Sequence, residues 1–590
     1  MAGPSPRSLF VPNLLAALLL ALSAVTGMAQ DAQPPLPPLP SWSSDTQKAW
    51  WEQNPLPAQW PKAVANLTAQ LQASYKQNGA SSFSNSDFQG WLEHLEWIRL
   101  GLDCPGDLTD ANNLNAFVQL GKDETVSHLL VEKLDPLDVK NEALLNLIRL
   151  AQANLDDLHE YAALGIAFSL VFDRPFPLDW PHRQVKQEAV PIGDLDVVKR
   201  FNFYVQANRN QKTDEDLTQL SFEKLKFVVD SEVNLSELEY AQHNRISNSS
   251  FADAFFSINY DVSRSNSGNF DFVWGLPTYT LQDIEKHGGI CVDQAYYAFL
   301  LGKGRGIPTL YFHGQGTDGG HAWFGYMSRS GKWELDCGRY ASQNYPKGYA
   351  LDPQTWQVID DARLTQDFKN GEQNPNYQPA RNAIAWARLQ AHDPSCKKIL
   401  DDARSIMPEL AQTWEMEASF LEYIHASDDD KKTFYQDWVS QFSAYPEMKI
   451  EGQRCLLAVL KKNQDPAADS LEQDIILANR SSSIDAGMQG EFDSIFEKIK
   501  AGDWDAARLG CERAIRDFGE QGGGTLFYGI IRPYVETCLK NGHVDQAQQA
   551  TGFARDRMPV RSDSVLGEEF LELEGKVFDA KQKGSASPSP

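Results

Sequence analysis

The stretch HGGICVDQAYYAFLLGKGRGIPT, His287 to Thr309, sets one cysteine between a glycine pair and an apolar-faced segment. Just upstream, Thr280 and Asp283 stand three apart, as an N-cap and its partner do, so a short helix is expected to run to about His287 and stop at Gly288-Gly289. The chain then restarts at Cys291. Val292, Ala295, Ala298 and Phe299 recur at the spacing of an amphipathic helix that ends across Gly302 to Gly306. This puts Cys291 at a helix N-terminus, where unpaired backbone N–H groups and the positive dipole end favour a thiolate.

A single cysteine is more often a small buried hydrophobe or half of a disulfide than a nucleophile, so chemistry requires a base and an orienting acid as well. After the strand-like TLYF and the glycine-rich GQGTDGG, His321 opens HAWFGYM, and an SRSG turn leads into KWELD, ending at Asp336. This reads as a β-hairpin. If Ser328 pairs with Gly331, Asp336 faces Trp323 and lies diagonal to His321 on one sheet face, about 7 to 8 Å away. A three-residue loop would instead carry Asp336 to the other face, because strand side chains alternate.

The order Cys291, His321, Asp336 resembles the transglutaminase-like superfamily. GGICVDQA is similar to its glycine-cysteine-helix segment, GRGIPT to its turn into a strand, HAW to its histidine strand and WELD to its aspartate strand. The resemblance covers residues 242–348. It implies an α+β chain in which a papain-like transglutaminase core, a helix packed on an antiparallel sheet, is flanked by mainly α-helical N- and C-terminal domains. It also implies the catalytic roles: Cys291 as nucleophile, His321 as general base and later acid, and Asp336 holding the imidazole. The Cys291 N–H is the natural first oxyanion donor, with Trp274 a candidate second. The family commonly has a proline soon after its aspartate, whereas Cys337-Gly338 follow here.

Around this core the sequence divides further. The run LLAALLLALSAV (Leu14 to Val25), after Arg7 and before a small-residue exit, predicts a cleaved signal peptide over 1–29 and hence a secreted or periplasmic protein. It is shorter than the roughly 18 apolar residues of a membrane span, so no stable span is expected. A proline-rich linker is expected over 30–54, a helical domain over 55–241, a second linker over 349–374, a helical domain over 375–581 and a disordered tail over 582–590. AGDWDAARLGCERAIRDF from Ala501 and NGHVDQAQQATGFARDRM from Asn541 look alike, which suits tetratricopeptide-like helix pairs or an ordinary bundle. FSLVFDRPFPLDWPH, Phe168 to His182, reads as a proline-turned loop without assigned function.

Acidic residues outnumber basic ones 80 to 54, for a net charge of −26, and no basic patch is concentrated anywhere, so nucleic acid is not expected as a partner. The seven cysteines are sparse and odd in number, which leaves disulfides open; Cys337 is expected to be structural or disulfide-bonded. His287 and His313 follow no metal-ligand spacing, Asp428 to Asp430 read as a solvated helix end, and no cofactor or metal is expected. The expected function is thiol acyl chemistry on peptide or protein amides, with hydrolysis favoured over amine transfer. The alternative is a catalytically silent peptide- or partner-binding protein, its helical domains presenting the surface.

Overall fold

The computed structural model describes residues 37–585 apart from 178–179, 183, 186, 245, 248–249, 267–276, 317–318, 341–347, 361–362, 365–373, 392, 394, 479–483 and 563. The expected signal peptide, most of the tail and Trp274 therefore lie outside the described residues. The chain is mostly helical with one small antiparallel sheet, an α+β arrangement. Among the described residues no helix is long and apolar enough to cross a membrane.

The sheet consists of β1 (Thr309–Gly316), β2 (Gly319–Met327), β3 (Trp333–Cys337), β4 (Tyr349–Leu351) and β5 (Val358–Asp360), in the order β3-β2-β1-β4-β5. The last two strands fall inside the span read as a second linker. They are three residues each, too short to show an alternating pattern, and among the described residues β4 pairs with β1 through His313 opposite Tyr349. Their addition extends the sheet to Asp360, past the expected boundary at residue 348.

The helix Cys291–Gly304 packs against β1 and β2, and its buried face continues the core that the N-terminal helices build around Trp97, Phe168 and Tyr204. One hydrophobic core thus spans the expected helical domain and the sheet. The span read as a first linker also contributes, because Ser44–Gln53 is a helix capped by Ser43 that buries Trp51. Its prolines lie outside the helix, and its tryptophans find a partner helix in Ser86–Asp103.

C-terminal to the sheet the chain forms helix pairs. The turns after Gly502 and Gly542, the two segments that look alike in sequence, have φ of +77° and +80°. In each the next residue donates its N–H five residues back, Asp503 to Lys498 O at 2.9 Å and His543 to Cys538 O at 2.8 Å. This is the left-handed helix stop of the Schellman kind. His425 and Gln464 make the same stop with φ of +50° and +52°, so the turns recur 39, 38 and 40 residues apart. The final helix, Val565–Ser585, runs into the expected tail.

Candidate active site

Two turns bring Cys291 to the sheet. Thr280 Oγ1 accepts the Asp283 N–H at 3.0 Å while Asp283 Oδ2 accepts the Thr280 N–H at 3.2 Å, the reciprocal cap read from the sequence. That helix stops at Gly288, with φ +73° and the backbone of Asn259 so close that an added Cβ would sit 2.3 Å from its carbonyl oxygen. Only glycine fits. The next helix begins at Cys291, where Asp293 reaches back to accept the Ile290 N–H at 2.8 Å. Asp293 is fully buried; Arg264 donates to the same oxygen, Oδ2, at 2.7 Å, and Tyr279 Oη donates to the other, Oδ1, at 2.6 Å. His182, from the unassigned proline-turned loop, lies 3.2 Å from Tyr279 Oη and so completes a buried chain behind the cysteine.

The half-buried Cys291 thiol lies near the backbone N–H of Ala322, the residue after His321, and near those of the helix start. The structure therefore brings the cysteine to the histidine strand. Burial pushes the thiol up to about 11, more than these N–H groups hold it down, and nearby Asp293 adds to the rise. The helix N-terminus alone does not produce the thiolate its position suggests, because desolvation of the sulfur outweighs it.

His321 is buried, stacked against Tyr340 at 4.7 Å and Trp323 at 5.9 Å. Its Nε2 lies 2.6 Å from the carbonyl oxygen of Gly338, which fixes the tautomer with the proton on that nitrogen. Burial holds the imidazole down at about 4, with the Gly338 carbonyl opposing.

Asp336 does not take the expected place. Ser328 donates to Lys332 O at 2.8 Å, so the hairpin loop has three residues, ending in Gly331 with φ +76°. The register shifts again between Phe324 and Tyr326. Trp333, Leu335 and Cys337 turn inward and Asp336 turns out, its side chain 70% exposed with Arg339 as its partner at 2.8 Å. Among the described residues, the acceptor on His321 Nε2 is the Gly338 backbone carbonyl. Gly338, with φ +92° and no room for a Cβ beside the Phe255 ring, makes the sharp turn that aims it. The Cys337-Gly338 pair after the aspartate thus carries the geometry.

Cys337 is a free thiol, as are all seven cysteines, so no disulfide forms at it. His313 is exposed beside Tyr349, and among the described residues no three His, Cys, Asp or Glu side chains gather as a metal site. The reading missed the Gly338 carbonyl, Tyr340 and the chain from Asp293 through Tyr279 to His182. Asp293 had a signal, an acid three residues beyond Ile290; a carbonyl acceptor has none. No family model matches the chain, and no curated protein or solved structure matches it.

Proposed function

We propose that the protein is an exported thiol enzyme of transglutaminase-like kind that cleaves peptide or protein amides through an acyl-thioester. The supporting observation is the Cys291 sulfur at a helix start near the N–H that follows His321, with that imidazole held through Nε2 by the Gly338 carbonyl. In the proposed sequence, His321 Nδ1 takes the thiol proton as sulfur attacks the amide carbonyl. The N–H groups of Cys291 and Val292 hold the oxyanion. The imidazolium then protonates the departing amine, and the thioester is resolved by water, which reaches a half-buried sulfur.

A second reading is a silent binding protein that keeps this fold and uses its helix pairs for partners. It is favoured by one observation, the outward turn of Asp336. Peptide-amide turnover, with a primary amine present in a parallel arm, distinguishes the two. Cys291→Ala is expected to abolish turnover, whereas Asp336→Asn should lower kcat/KM by less than about threefold, far from the roughly 10⁴-fold loss of a triad carboxylate. Undiminished turnover in Cys291→Ala would overturn the enzyme reading.

A further inference from the structure

The segment that precedes the two turns lies alongside the candidate nucleophile. Tyr260 bridges Gly289 as a parallel partner; Asp261 N–H donates to Gly289 O at 2.8 Å and Gly289 N–H to Asn259 O at 2.9 Å. Arg264, at the end of the same segment, is tied to buried Asp293. The stretch from Asn259 to Arg264 is therefore fixed to the Cys291 turn at both ends, a preset surface.

This segment displays large apolar side chains interleaved with polar Asn259 and Ser263. Tyr260 is 42% exposed; partial burial raises its hydroxyl's ionisation, with nearby Cys291 and Tyr340 adding to the rise. Phe256 and Val262, on either side, are 59% and 60% exposed. Tyr340, stacked on His321, also lies near the thiol. Large apolar side chains left in water beside a reactive group mark a recognition surface more than a packing error.

On the premise that Cys291 is an acyl-transfer nucleophile, we infer that its acyl donor is a peptide whose residue next to the attacked carbonyl is aromatic or large and aliphatic, seated on Tyr260, Phe256 and Val262. Burying such a side chain there holds the carbonyl at the sulfur, whereas a charged side chain would lose its hydration against the same wall.

The test uses the full chain and two peptidyl chloromethyl ketones that differ only in the residue beside the electrophile, Phe or Glu, with iodoacetamide as a small reagent that ignores the wall. The Phe probe is expected to alkylate Cys291 at least about tenfold faster than the Glu probe. Tyr260→Ser with Val262→Ser should remove that ratio and leave the iodoacetamide rate within about twofold. Phe256→Ser, at a solvent-facing position, reads the same ratio should the double variant misfold. Equal rates for the two probes would overturn the inference while leaving the thiol enzyme standing. Reaction with iodoacetamide but with neither peptide would overturn both.

Discussion

At the scale of the residue, the site joins two groups held neutral by burial. With the thiol at about 11 and the imidazole at about 4, the free protein at pH 7 carries neutral sulfur and neutral ring, unlike a thiolate–imidazolium pair. The two arrangements differ in their response to pH. A preformed ion pair reacts at a flat rate across neutral pH, whereas here only about one thiol in ten thousand is ionised at pH 7. Alkylation of Cys291 by iodoacetamide is therefore expected to rise about tenfold per pH unit from pH 7 to about 10, and a plateau below pH 8 would refute the assignment of burial as the controlling cause. On the proposed function, an amide substrate that displaces water and brings its own carbonyl dipole would change this balance, so the proton would move to His321 only once the amide is seated.

At the scale of the element, the N-terminal helix Ser44–Gln53 and the helix Ser86–Asp103 enclose His94 between four indoles, Trp50, Trp51, Trp91 and Trp42, with ring centroids 4.7 to 5.8 Å away. The imidazole is 1% exposed, and neither ring nitrogen has a hydrogen-bond partner. Burial lowers it to about 3, with His128 on the neighbouring helix adding to the effect while Glu93 pairs with His128. A group depressed on folding stabilises above its unfolded value near 6.5, and that stability drains away as pH falls toward 3, on the order of 3 to 5 kcal/mol in all. His94→Leu should raise Tm at pH 5 and flatten its pH dependence between 5 and 7.5. An unchanged slope would place acid sensitivity elsewhere. This helix was unreadable behind its prolines, and β4 and β5 were too short to pattern. The Cys291 helix and the β1–β2 hairpin were legible because caps, glycines and aromatic runs agreed. The hairpin loop was legible too, since Gly331 is where a three-residue loop needs a left-handed residue, but the bulge between Phe324 and Tyr326 was not, and the two shifts together misplaced Asp336. Two of the four helix stops were hidden because His425 and Gln464 stand where glycine is expected.

At the scale of the molecule, the helix pairs leave the N-terminal domain and return to the sheet. The first pair, Tyr377–Leu389 and Cys396–Ile406, shares a core with Leu67, Phe88 and Leu92 of the N-terminal helices. Further along, the helix Trp504–Leu526 breaks at Gly523, with φ 40° and ψ −125°, and lays Gly524 against the β1 end that leads to His321. A Cβ on Gly524 would sit 2.8 Å from Gln315 Oε1 and 3.3 Å from the Gly316 carbonyl oxygen, while that Gln315 oxygen is buried without a partner. Two effects compete there. Alanine gains about 1 kcal/mol of helix propensity but must displace the flexible Gln315 amide and crowd the Gly316 carbonyl, so Gly524→Ala is expected to be close to neutral. Valine adds two methyls against the same backbone carbonyl and should cost about 1 to 3 kcal/mol by overpacking. If this contact steadies the histidine strand, Gly524→Val will speed amide hydrogen exchange over residues 311–321 and leave the helix pairs protected. Uniform acceleration through the helix pairs alone would show that the two parts fold and open independently.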